Sequence, residues 1–343
     1  MKALVLKEYS RFSIEDIPTP APGPTDVLVR IKSTAICGSD VHGYDGTSGR
    51  RIPPIIMGHE AAGQIESVGA EVTKWHPGDR VTFDSTIYPL DDWYTRRGWY
   101  NLSDNRRVLG VSCNEYRQNG TFAEYVSIPQ NILYRIPDSL SYDDAALTEP
   151  LAVALHGISL TPIEIGDTVA VIGAGTIGLM LVGSLTQKGC SNIIVSDVSE
   201  ERLEIARKFG ATHTVNPSKN SLSHICTTLT EGRGADSILE AVGLEVTIAE
   251  AITSIRRGGT ITLLGNISKQ VCIPLQQVVA GQICLQGSCA IREEFPAALR
   301  LLAAGKIPTD LIISKTASLE QAPELFKQLH TGDPKLLKVI LHP

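Results

Sequence analysis

The stretch that decides the fold is TVAVIGAGTIGLMLVGSLTQ, residues 168–187. Its twenty residues carry no charge, which is length enough to cross a bilayer. Four glycines, with Gly173, Gly175 and Gly178 bunched together, argue instead for a buried strand, a tight turn and a packed helix. The membrane reading is set aside. Gly173-Ala174-Gly175-Thr176-Ile177-Gly178 fits G-x-G-x-x-G, a weak pattern in isolation. Its surroundings strengthen it. A strand-like run at 168–172 precedes it and a helix-like run at 176–188 follows. A second strand-like run, 192–196, leads to Asp197, nineteen positions after Gly178. Glycines let the backbone turn tightly and approach a pyrophosphate, whose charge sits at the helix N-terminus. Asp197 would accept hydrogen bonds from the adenosine ribose of NAD, and Arg202 is the nearest arginine downstream. The plainer reading is a glycine turn in another α/β fold with Asp197 as a helix cap, and it does not call for strand, helix and acid in this register.

Downstream the alternation continues, with a helical run at 200–209 and strand-like runs at 237–241, 260–264 and 283–286. That is the texture of a parallel sheet covered on both faces. Upstream, to about residue 150, short β runs at 2–7, 26–36, 61–68, 79–83 and 121–128 are punctuated by Gly and Pro, which predicts a barrel-like all-β domain. From Ser288 onward, one helical run at 295–304 and a final strand at 337–341 are predicted.

A chain of 343 residues, 43% apolar and 20% charged, suits two globular domains with sizeable cores. The net charge of −6 and the absence of any Lys/Arg cluster longer than a pair leave no footprint for nucleic acid or an anionic membrane, so small-molecule partners are expected. Seven scattered cysteines, an odd number, fit reduced thiols and a cytoplasmic location better than a disulfide framework. The opening MKALVLKEYS shows no secretory signal.

Two segments carry metal chemistry: Cys37-Gly38-Ser39-Asp40-Val41-His42 and Gly58-His59-Glu60. A thiolate, an imidazole and carboxylates suit zinc, and catalytic zinc keeps one position open. Taken singly, a cysteine is usually a small buried hydrophobe, and a Glu-Pro pair such as Glu149-Pro150 is usually a loop. Taken together with Glu149-Pro150-Leu151 and the glycine motif, these segments resemble the zinc-dependent medium-chain dehydrogenases, in particular the sorbitol (L-iditol) and polyol branch. The resemblance runs along essentially the whole chain.

It implies an α/β plus β architecture: a GroES-like β-barrel catalytic domain over 1–150, an inserted Rossmann doubly wound domain over 151–287, and a C-terminal return over 288–343. It also implies an NAD-dependent polyol dehydrogenase with one catalytic zinc per chain, assembled as a homo-oligomer, either dimer or tetramer. By position Cys37 and His59 resemble zinc ligands, while Glu60 and Glu149 share the remaining protein contacts. Zinc with one thiolate, one neutral imidazole and one carboxylate is formally neutral, and a second ionised carboxylate would make the site anionic. One glutamate is therefore expected to ligate at a time. Asp40 resembles the carboxylate that orients the histidine ligand. Ser39 and His42 stand where the family places a proton relay.

Many relatives carry a second, structural zinc on four cysteines. The corresponding positions here are Pro89, Asp92, Thr95 and Ser103, so no structural zinc is expected, and the aromatic residues Tyr88, Trp93, Tyr94, Trp99 and Tyr100 are expected to pack the lobe instead. A zinc-free quinone or enone reductase of the same fold would have no need of Cys37, His59, Glu60 and Glu149 together. A non-enzymatic NAD-binding sensor would have no need of Ser39 and His42. Phosphorylated and unphosphorylated polyols both remain open, because no phosphate-binding basic cluster is evident in the sequence. Arg96, Arg97 and Arg292 are the candidates to lie near the cleft.

Overall fold

The computed structural model describes residues 1–333 and 335–343. It divides into two units, one formed by 150–290 with 306–308, the other by 1–149, 291–305 and 309–343.

In the first of these, six parallel strands stand in the spatial order His213–Val215, Asn192–Ser196, Thr168–Ile172, Ala235–Glu240, Ile255–Leu263 and Cys284–Gly287. Counted along the chain this is 3-2-1-4-5-6, the doubly wound order that leaves a switch point beside the first strand. Thr168–Ile172 is buried at every position because strands flank it on both edges, which is why it reads as an unbroken apolar run. The uncharged segment then turns and continues as helix Thr176–Leu185, buried from Gly178 through Leu185. Among the described residues no helix is long and apolar enough to cross a membrane.

Helix Glu200–Lys208 is capped by the Ser199 hydroxyl, which accepts from Arg202 N; acids fill its first turn and Arg207 and Lys208 its last. Helices Leu222–Leu229 and Glu245–Ser254 were not anticipated. Their sequences are rich in Thr, Ser and β-branched residues of modest helix propensity, and packing into the core around Ile238 and Ile252 overrides that preference.

The other unit is built on strand Asp26–Ala35. Antiparallel partners flank it: Glu60–Val68 on one side, Lys338–His342 and Tyr125–Pro129 on the other edge positions. Two apolar clusters fill the unit, one around Leu4, Leu6, Phe122 and Phe326, the other around Val29, Ile65, Phe83 and Ile128. The expected strand at 121–128 begins only at Tyr125. Residues 120–122 instead give their N–H groups to Ile56 O, Gly58 O and Met57 O, which ties this segment to the loop before His59. The C-terminal part holds more than the sequence reading expected. Strand Ile313–Ser318 runs parallel to Lys338–His342, and helix Ala322–His330 buries Ala322, Leu325 and Phe326. Glu149-Pro150, a loop by local reading, lies in the first turn of helix Thr148–Ser159, where proline is tolerated because its missing N–H has no helical partner.

Candidate active site

The candidate metal corner is made by strand register. Ala35 pairs with Glu60 on one side and with Ile340 on the other. Cys37 follows two residues after that strand, as N-cap of helix Gly38–Tyr44, while Glu60 opens the second strand and Lys338 the third. Three segments distant in sequence therefore end at one place. Cys37, His59 and Glu60 each offer a ligand atom, and these atoms lie within 4.8 Å of one another. His59 and Glu60 are buried and Cys37 is half-buried.

Asp40 is fully buried and is more than a turn residue. Its Oδ2 stands 3.6 Å from His59 Nδ1 and accepts from Cys37 N at 3.3 Å, while Oδ1 accepts from Arg51 Nη2 at 3.0 Å and Nε at 3.3 Å. Burial would raise its pKa, but the His59 and Arg51 charges hold the carboxyl well below the usual range. Burial opposes a charge on His59, yet Asp40 and Cys37 hold the imidazole well above its ordinary value. Nδ1, turned toward Asp40, leaves Nε2 as the nitrogen for a ligand.

Sequence reasoning missed Lys338. Its ammonium, 2% exposed, donates to both Glu60 oxygens at 2.7 and 3.0 Å and to Ile36 O at 3.2 Å. The only local signal is a cation opening the otherwise apolar run KVILH. Its presence corrects the charge count made from sequence, since one carboxylate at this corner has its own counter-ion.

Glu149 belongs to the neighbourhood but not to the 4.8 Å group. Ser85 Oγ donates to its Oε1 at 2.9 Å. Burial, reinforced by Glu60 and opposed by His59, pushes its pKa up to about 7.

Arg51 was also missed. Besides Asp40 it reaches Ser39 Oγ, 3.3 Å from Nη2. It fits because Gly43 has no side chain; a Cβ there would lie 2.1 Å from Arg51 Cγ. Ser39 and His42 lie on the same exposed side of helix Gly38–Tyr44, three residues apart.

In the glycine loop, Gly173 has φ +96° and its N–H donates to Ser196 O at 2.7 Å. Gly178 must lack a side chain, because a Cβ would sit 1.7 Å from Gly173 O. At Gly175 nothing lies within 4 Å of that position, so the protein itself sets no limit there and the backbone is open to a ligand. Thr176 and Ile177 open the helix behind it. Asp197, at the end of the second strand, accepts from Ala174 N through Oδ2 at 2.7 Å and from Ser199 N through Oδ1 at 2.8 Å. Arg202 lies one turn into the following helix, its N–H bonded to Ser199.

In the lobe, the carboxylate of Asp92 accepts from Thr95 N at 2.6 Å and from the Ser103 hydroxyl. Tyr88 stacks on Tyr100 with centroids 4.3 Å apart.

Residues 23–138 match the alcohol dehydrogenase GroES-like domain, and residues 176–304 match the zinc-binding dehydrogenase domain. Sorbitol dehydrogenase of Bacillus subtilis is 33% identical over all of this chain and 97% of its own length. The chain belongs to the zinc-dependent medium-chain dehydrogenases, in their polyol dehydrogenase branch. D-arabitol-phosphate dehydrogenase of Enterococcus avium is 31% identical over 95% of this chain and 92% of its own. The crystal structure of galactitol-1-phosphate dehydrogenase from Escherichia coli superposes with a TM-score of 0.93 at 27% identity, covering 100% of both chains. The GroES-like and Rossmann expectations hold for this member of the polyol branch, which is an alcohol-oxidising enzyme by descent.

Proposed function

We propose that this polyol dehydrogenase oxidises a secondary alcohol of its substrate to a ketone, with one zinc per chain and NAD as hydride acceptor. The observation that carries the reading is the buried convergence of Cys37, His59 and Glu60, with Asp40 behind the imidazole. A thiolate, an imidazole and a carboxylate are a fitting donor set for zinc, and His59 Nδ1 faces the Asp40 carboxylate at 3.6 Å, the side on which a ligating histidine is oriented by a carboxylate. When bound, zinc would supply a Lewis acid that makes the substrate hydroxyl more acidic, and NAD would accept the hydride.

The chain's own groups do the rest. Asp40 and Arg51 hold His59 and Ser39 in place. Ser39 Oγ accepts the hydroxyl proton as it releases its own toward His42, and the exposed His42 imidazole passes a proton on to solvent. Glu149, poised by Ser85, serves as the exchangeable fourth group. Zinc, one thiolate, two carboxylates and the Lys338 ammonium would come to formal neutrality with His59 neutral. A zinc-free reductase of the same fold would have no use for this convergence.

The three-way tie among Asp92, Thr95 and Ser103 supports an absence of structural zinc, because hydrogen bonds occupy the positions where thiolates would stand. Self-association into a dimer or tetramer is supported by the edge strand Cys284–Gly287 and by Leu275 and Val279, which are 63% and 70% exposed. Seven scattered cysteines, an odd number, agree with a reducing cytoplasm.

Cys37→Ser is expected to lose both zinc and turnover while still binding NAD; normal activity with normal zinc content would refute the assignment. Asp197→Asn is expected to narrow the preference for NAD over NADP by roughly one order of magnitude, about the worth of a charge-assisted contact. Equal efficiency with both cofactors in the unmodified enzyme would show that Asp197 has no such part.

A further inference from the structure

Residues 94–118 carry five arginines (Arg96, Arg97, Arg106, Arg107, Arg117), no lysine and two carboxylates, within a chain of net charge −6. The candidates named from sequence for an anion are not the ones the fold gathers. Arg97 stacks on Trp93, its guanidinium carbon 3.9 Å from the ring centroid. Instead Arg50, Arg106 and Arg107 line one cavity of about 360 Å³, together with Asn105 and Tyr116.

The walls of this cavity are fixed by backbone. Arg107 pairs with Ile87 in a two-stranded ribbon, and the Tyr116 phenol oxygen accepts from Val108 N at 3.1 Å. Tyr116 O accepts from Cys113 N at 2.9 Å, and Arg50 O accepts from Ser112 N at 3.1 Å. Arg50 and Arg107 are exposed and line the cavity from anchored chain. Two carboxylates, Asp104 and Glu115, share the lining and are outnumbered. Glu115 takes a hydrogen bond from the Cys113 thiol and also feels the Arg50 charge, so Arg50 is partly offset within the lining.

The cationic groups here are all arginine, whose planar fork pairs bidentately with phosphate oxygens. The volume falls in the range of small-molecule sites, roughly 300–1,000 Å³. Location adds the second argument. Arg50 is the chain neighbour of Arg51, about 3.8 Å away between Cα atoms, and Arg51 touches Ser39 and Asp40. Ser112, bridged to Arg51, precedes Cys113 on the cavity wall. The cavity and the candidate catalytic corner thus share the segment Arg50-Arg51, one residue serving each.

We propose that this arginine-lined cavity docks a phosphate monoester, and that the ester is the phosphorylated end of the substrate polyol. The second half rests on the dehydrogenase reading above; the first stands without it. The test compares sorbitol, galactitol and xylitol with their terminal phosphates on the zinc-loaded enzyme. The esters are expected to show KM at least about tenfold below the parent polyols, the worth of one charge-assisted contact. Arg50→Gln and Arg107→Gln should each shrink that ratio, and the double variant should abolish it. A ratio that the variants leave unchanged, or a preference for the parent polyols, would overturn the proposal.

Calorimetry with inorganic phosphate and with the esters separates the two halves. Binding that the double variant loses, without turnover of any polyol, would uphold the cavity and refute the dehydrogenase reading. Phosphate binding indifferent to both arginines would refute the cavity. Phosphate that alters sorbitol oxidation without competing with the esters would make the ligand a separate effector and overturn the second half.

Discussion

The corner around Cys37 and the lobe from 89 to 103 are the two places where the pattern of this family would hold a metal, and they differ in kind. At the corner, ionisable groups are gathered together: His59, Glu60, Asp40 and Glu149 buried and Cys37 half-buried, with Lys338 and Arg51 as the cations. Burying charge is costly unless every charge is paired, so this arrangement calls for a closely matched set of counter-charges, which a divalent ion would complete. In the lobe the corresponding positions are Pro89, Asp92, Thr95 and Ser103, and the Asp92 carboxylate accepts from Thr95 N and from the Ser103 hydroxyl. On the reading proposed above, the corner holds the metal and the lobe does not.

Lys338→Met should sharpen that contrast most. It strands the Glu60 carboxylate in a buried site, and removing one partner of a buried pair costs about 3–5 kcal/mol. Turnover should fall at least about tenfold, as when a group orienting a metal ligand is lost. A variant with wild-type melting temperature and wild-type kcat/KM would show that the ammonium is incidental. Ser103→Ala, the corresponding change in the lobe, should lower Tm by only a few degrees and leave zinc content and kcat untouched. Loss of bound zinc in that variant would break the comparison, because the lobe would then be holding metal after all.

The glycine loop and Asp197 were legible because all their parts lie within one strand, one turn and one helix, so local spacing carries the chemistry. Cys37, His59 and Glu60 were legible as a set of residue types. What brings them together, the pairing of Ala35 with Glu60 and Ile340, is not local and left no trace in spacing. Lys338 and Arg51 were missed for that reason, since each acquires its meaning only from a partner on another segment. Likewise the arginines at 50, 106 and 107 are ordinary surface pairs in sequence and a cluster only after the loop and the ribbon meet. The unforeseen helices Leu222–Leu229 and Ala322–His330 failed for a different reason: they are short, and tertiary packing decides them more than propensity does.

The most direct test of the central contrast is a zinc count per chain on freshly purified protein, joined to melting curves before and after chelation. The account predicts one zinc per chain, activity lost on its removal, and a fold that survives because the metal serves chemistry at the Cys37 corner. Two tightly held zinc ions per chain, or collapse of the fold on chelation, would contradict it.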